Sequence, residues 1–221
     1  MIKIYPFSDF LPGYDDDNGN SIIELKPRSR EGALFQDDMA FDRMYPEHYR
    51  LISSRQWTAL AIAREAATFL AEPGSRVLDI GSGVGKFCLA AAYYHQETFF
   101  YGVEQRQELA NFAVKAQNYT GLNNVTFVNA NLTQLGINEF DHFYFYNSFY
   151  ENLDPANRID DTIETSPGLY TYYTQYLFTA LEQKLPGTRL VTFHSFEEEI
   201  PPGYCLVGSY YHSLLKMWIK R

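Results

Sequence analysis

Arg76-Val77-Leu78-Asp79-Ile80-Gly81-Ser82-Gly83-Val84-Gly85-Lys86-Phe87 is the stretch whose reading decides the fold. The apolar run Val77–Ile80 reads as a strand and leads directly into glycines at 81, 83 and 85. An apolar helical pattern, Phe87, Leu89, Ala90, Ala91 and Ala92, follows at once. Glycine lets the backbone turn tightly and approach a ligand with no Cβ in the way. A strand, a glycine turn and a helix N-terminus in succession build a nucleotide-sized crevice at the carboxyl edge of a parallel sheet. The expected ligand is flat and adenosine-like.

The spacing of the glycines selects among nucleotide loops. A P-loop requires Gly, four residues, then Gly-Lys-Ser/Thr. Here Ile80 stands at the first glycine and Phe87 replaces the magnesium-binding hydroxyl. The dinucleotide fingerprint G-x-G-x-x-G requires a third glycine at 86, where Lys86 stands. The spacing is instead G-x-G-x-G, with Asp79 two residues before the first glycine. That arrangement resembles motif I of the class I S-adenosylmethionine-dependent methyltransferases. The resemblance implies S-adenosyl-L-methionine as cofactor, with S-adenosyl-L-homocysteine as its product. It places Asp79, Gly81, Ser82, Gly83 and Gly85 at the cofactor.

Thr98–Glu104 reads as the next strand and ends on an acid. Glu104 lies about twenty residues beyond the glycine loop, where a carboxylate accepts hydrogen bonds from ribose hydroxyls; an exposed capping acid is the alternative. Leu109, Phe112, Ala113, Ala116 and Tyr119 recur at helical spacing until Gly121. Val125–Val128 makes a third strand leading to Asn129-Ala130-Asn131. By resemblance to the family, an Asn here touches the adenine amino group. Asn131 matches the register better than Asn129, and both also suit a turn.

Asp141–Tyr146 reads as a central strand, with aromatic residues at successive positions. It delivers Asn147-Ser148-Phe149-Tyr150, which resembles the Asn-Pro-Pro-Tyr motif of amino-group methyltransferases with both prolines replaced. That likeness implies that Asn147 accepts a hydrogen bond from the attacking amine and that the Tyr150 ring packs over the acceptor. The runs Leu78–Gly85, Tyr101–Glu104 and Asn147–Phe149 are also similar to those of the non-SET histone lysine methyltransferases. In those enzymes a Thr opens a helix upstream of motif I, a place that Thr58 occupies here. Thr58 is thereby expected to bind the methionine end of the donor, at a helix N-terminus that favours a carboxylate; a plain helix cap is the alternative.

The expected fold is α/β: a three-layer sandwich around a mostly parallel seven-stranded sheet, closed by an antiparallel C-terminal strand pair. Tyr204–Tyr211 and Leu214–Ile219 supply that pair, Arg189–Phe193 a fifth strand, and Leu169–Leu185 a helical stripe expected to pack as core. Residues 57–221 form the methyltransferase domain, and residues 1–56 a helical or irregular arm, read either as a lid over the acceptor pocket or as a structural extension. In it, the segment Phe41–Arg50 has aromatic and charged groups to offer that pocket.

The chain has 221 residues, 46% of them hydrophobic, enough for one substantial core. No apolar run approaches the roughly 20 residues needed to span a bilayer, and the acidic run Asp15-Asp16-Asp17 does not suit a signal peptide. Two cysteines, Cys88 and Cys205, fit a reduced cytoplasm. The five histidines form no metal-binding pair, so no metal is expected. A formal charge of −9 disfavours polyanion partners, nucleic acid included. The acceptor expected is a small molecule or a protein bearing a nitrogen. The competing readings are a protein that binds the donor without catalysis and a nucleotide-dependent Rossmann oxidoreductase.

Overall fold

The computed structural model describes residues 31–221; Pro6, Pro12, the acidic run at 15–17 and Pro27 lie outside the described residues. Four short helices come first: α1 (Glu31–Leu34), α2 (Asp38–Asp42), α3 (Glu47–Arg50) and α4 (Ser53–Gln56). They lead into α5 (Leu60–Leu70), β1 (Arg76–Ile80), α6 (Lys86–Tyr94), β2 (Phe99–Glu104), α7 (Gln107–Thr120) and β3 (Val125–Asn129). Beyond these lie β4 (His142–Phe145), α8 (Pro167–Glu182), β5 (Arg189–Phe193), β6 (Tyr204–Tyr210) and β7 (Leu215–Lys220).

All seven strands form one sheet in the order β3-β2-β1-β4-β5-β7-β6. β3, β2, β1, β4 and β5 are parallel. β7 runs antiparallel to both β5 and β6, which is the closing pair expected from the sequence. The order reverses between β1 and β4, so the loops that leave their carboxyl ends diverge and open a crevice.

Side chains alternate across the sheet, as the two-residue period of a strand requires. Val77, Phe100, Val125, Tyr144 and Val191 pack on one face beneath α5, α6 and the arm. Leu78, Ile80, Val103, Phe143, Phe145 and Leu190 pack on the other, beneath α8 and the loops after β3. α6 is buried from Lys86 to Ala92, hence its small alanines: it lies between the sheet and a further layer. That layer includes the arm, whose Phe35, Phe41, Tyr45 and Tyr49 join the same core as the strands.

The stripe expected over 169–185 is shorter than its pattern. α8 stops at Glu182, and Leu185 stands 77% exposed in the following turn. Only Leu177 and Leu181 of α8 are buried, while Tyr170, Tyr173 and Tyr176 pack half-buried against the same core and Tyr172 is exposed.

Candidate functional site

The crevice at the β1/β4 switch point opens into a cleft of about 700 Å³. Its first wall is the glycine turn. Gly81 and Gly85 take the left-handed conformation, with φ of 76° and 86°, which side-chain-bearing residues adopt at a cost. Gly81 has a second constraint: a Cβ there would overlap Ser148.

Glu104, at the end of β2, is buried rather than an exposed cap. One carboxylate oxygen accepts the Gly83 N–H at 3.0 Å and the other accepts the Arg106 N–H at 2.8 Å. It therefore fixes the glycine turn while facing the cleft. Burial raises its pKa, and the hydrogen bonds from Arg106 and Gly83 partly offset that.

Asp79 lies deeper in the same wall. Burial pushes its carboxyl up to about 8; the Cys88 thiol, donating at 3.5 Å, lowers it, and the charge of Glu104 raises it. Cys88 is itself buried, its thiol pushed up by burial and by Asp79. A buried carboxyl without a cation beside it is poised to receive one.

The opposite wall starts at β4. Asn147 has a left-handed backbone, φ 37°, a conformation that stores strain and clusters at functional sites. Its Oδ1 is buried without a hydrogen-bond partner among the described residues, as is Ser82 Oγ, and both residues line the cleft. Ser148 donates to the Ile80 carbonyl at 2.5 Å, which ties this loop to the end of β1. Phe149 is buried against Phe145, whereas Tyr150 is 41% exposed at the mouth.

Thr58 lines the cleft but does not cap α5, whose N-cap is Ala59. Its hydroxyl instead pairs with the Tyr144 hydroxyl at 2.9 Å. Asn131, and not Asn129, reaches the cleft. Its Oδ1 accepts from Thr133, and its Nδ2 donates to Gln105 and Tyr173. Asn129 donates to the Glu104 and Gln105 carbonyls.

Tyr146 and Arg106 carry no signal in the sequence, in which His194, Tyr150 and a carboxylate of the arm are the candidates for taking the acceptor's proton. Tyr146 donates to the Arg55 carbonyl at 3.1 Å and lies beside the His194 ring, 5.7 Å between centroids. His194 also has a left-handed backbone, φ 57°, and burial lowers its pKa, which keeps it neutral at pH 7. Arg106 makes a bidentate pair with Glu151 at 2.9 and 2.8 Å and reaches Asp160 at 2.9 Å, holding the 150–160 segment against β2. Tyr45 of the arm donates to the Val84 carbonyl at 3.0 Å, bracing the glycine turn from behind. Of the arm segment 41–50, Phe41 and Tyr45 thus pack inward, and Tyr49 lines the cleft.

Lys86, which stands where the dinucleotide fingerprint needs its third glycine, is 4% exposed and held by Asp38 at 2.7 Å and Asp42 at 2.6 Å. Its ammonium is committed to these carboxylates rather than free for a phosphate. Among the described residues, no cluster of three or more His, Cys, Asp or Glu is arranged to hold a metal ion, and no helix is long and apolar enough to cross a membrane.

Residues 71–165 match a family described as a methyltransferase domain. No curated protein matches the chain. An RNA methyltransferase from Salinibacter ruber, crystallised with S-adenosyl-L-homocysteine, is 19% identical, with 72% of this chain and 88% of that one covered, at a TM-score of 0.49. TrmN from Thermus thermophilus is 24% identical over 72% of this chain and 46% of that one, at 0.50. The precorrin-6y C5,15-methyltransferase of Geobacter metallireducens GS-15 is 12% identical over 76% and 90%, at 0.52. At these identities the likeness to the last two is one of fold alone: a mostly parallel, Rossmann-like sheet.

Proposed function

We propose that this protein is an S-adenosyl-L-methionine-dependent methyltransferase acting on a nitrogen of a small-molecule or protein acceptor. The observation that carries the reading is Asn147 Oδ1: a buried acceptor with no partner among the described residues, on strained backbone, in the same cleft as the glycine turn and Glu104. The cleft suits a donor rich in N–H and O–H groups. Among the described residues Ser82 Oγ and Asn147 Oδ1 have no partner and Asp79 has no cation beside it, and Glu104 faces the cleft.

When bound, the sulfonium supplies an activated methyl group, so the protein's part is proximity and alignment. In this reading Asp79, Thr58 and the turn at Gly81–Gly85 hold the amino-acid end, Glu104 the ribose and Asn131 the adenine. Asn147 Oδ1 accepts an N–H of the acceptor and so aims its lone pair. Tyr150 packs against the acceptor at the mouth. Neutral His194, within the cleft, takes the proton that the amine sheds.

Replacement of both prolines in Asn147-Ser148-Phe149-Tyr150 does not leave the loop slack. The Ser148–Ile80 hydrogen bond supplies the stiffness, which favours catalysis over donor binding alone. Lys86 in place of the third glycine disfavours the dinucleotide oxidoreductase. We take the donor, but not a histone substrate, from the short motifs shared with the non-SET lysine methyltransferases. A charge of −9 argues against sequence-independent nucleic-acid binding. The free cysteines suit a cytoplasmic site of action, and Tyr49 of the arm lines the cleft beside α7, its ring 5.3 Å from that of Phe112.

Titration calorimetry with S-adenosyl-L-methionine and S-adenosyl-L-homocysteine tests the donor. Release of S-adenosyl-L-homocysteine in a cell extract tests turnover. Binding without turnover would select the non-catalytic reading, and no binding at millimolar concentration would remove both.

A further inference from the structure

One carboxylate oxygen links the two helix starts that border the cleft. Asp38 Oδ1 accepts the backbone N–H of Leu60, the first residue of α5, at 2.9 Å. The same oxygen contacts the ammonium of Lys86, the first residue of α6, at 2.7 Å. Leu60 follows Thr58 by two residues, and Lys86 follows Gly85 directly. Asp38 thus couples the Trp57–Thr58 wall to the glycine-turn wall, although it does not itself line the cleft.

We propose that Asp38 is a positioning residue for the amino-acid end of the donor. The inference rests on the donor reading above, in which Thr58 and the glycine turn both hold that end. Both grips depend on the spacing of α5 and α6. That spacing is set at their N-termini by a charged group bonded to each. α5 has no side-chain cap of its own, and neither does α6, whose N-cap is glycine. Asp38 takes the capping role from a distance of 22 residues along the chain. Thr58 and Trp57 are buried, so a shift of α5 would displace them as a unit.

The position is suited to a clean test. The Asp38 side chain is 47% exposed, and Lys86 retains Asp42 at 2.6 Å when Asp38 is removed. No buried cation is then left unpaired, and the core is untouched. Two ligands separate positioning from general destabilisation: S-adenosyl-L-homocysteine, which carries the amino-acid end, and 5′-methylthioadenosine, which lacks it.

The experiment is calorimetric titration of wild type, Asp38→Ala and Asp38→Asn with both ligands, alongside melting curves. Asp38→Ala is expected to weaken S-adenosyl-L-homocysteine about ten-fold, the scale of one lost charged hydrogen bond, and to leave 5′-methylthioadenosine within about two-fold of wild type. Asp38→Asn keeps an acceptor for Leu60 but no charge for Lys86, and should fall between; it carries the test alone if the alanine variant does not fold. Equal weakening of both ligands, or no change in either, overturns the inference and leaves the donor reading standing. Failure of wild type to bind S-adenosyl-L-homocysteine overturns the donor reading and this inference with it.

Discussion

The hydroxyl of Ser148 donates to the carbonyl oxygen of Ile80 at 2.5 Å, joining the loop after β4 to the last residue of β1. Because Gly81 follows Ile80, this bond fixes Asn147, whose Oδ1 has no partner among the described residues, relative to the glycine turn. The same proximity explains why position 81 admits no side chain: a Cβ there would overlap Ser148.

Ser148→Ala is expected to cost about 1 kcal/mol of stability, the net worth of one hydrogen bond. Turnover should fall further, by about 100-fold if the Asn147 loop drifts by an ångström. Denaturant unfolding and release of S-adenosyl-L-homocysteine, measured on the same variant, compare the two losses. Gly81→Ala should be worse on both counts, since it adds left-handed strain to the overlap.

Glu104→Ala removes an acceptor from both Gly83 and Arg106. Donor affinity should weaken by roughly 1–3 kcal/mol, the scale for hydrogen bonds to a charged group. Calorimetry with S-adenosyl-L-homocysteine reads this directly, and an unchanged dissociation constant would remove Glu104 from the site.

Asp79 gives the chain a specific pH dependence. Its carboxyl is raised in the fold from 3.8 to about 8, chiefly by burial. Between those values the folded chain holds a proton that the unfolded chain has released, so this group lowers stability as pH rises through the interval; above the folded value the penalty is constant. Asp79→Asn, which cannot ionise, should therefore melt above wild type without ligand, by a margin that grows from about pH 5 to about pH 8. The same variant should bind S-adenosyl-L-homocysteine more weakly. A margin that shrinks with rising pH would contradict the assignment.

Much of this site was legible in the sequence because it is local. The glycine turn, Asp79 and Glu104 sit at strand ends within a single βαβ unit, where chain direction alone brings them together. Asn131 over Asn129 followed from register. What escaped notice depends on partners far apart in sequence. Lys86 meets Asp42 across 44 residues, Arg106 meets Asp160 across 54, and Thr58 meets Tyr144 across 86. No spacing rule encodes such pairings, and so the sequence shows neither the Tyr144 partner of Thr58 nor the carboxylates that hold Lys86. The positive φ of Asn147 and His194 was equally hidden, since neither residue type favours it as glycine does.

Asn147→Gly separates function from stability. Glycine tolerates a φ of 37° without strain, and the change deletes a buried acceptor that has no partner among the described residues. The melting temperature should hold or rise, while turnover falls by about 100-fold or more. Thermal unfolding together with S-adenosyl-L-homocysteine release distinguishes this from a structural asparagine, whose loss would lower both.

The most direct test of the central claim is the titration of wild type with S-adenosyl-L-homocysteine beside Glu104→Ala. The proposed site predicts saturable one-to-one binding by wild type that weakens in the variant by roughly 1–3 kcal/mol. No heat of binding by wild type at millimolar ligand would contradict it.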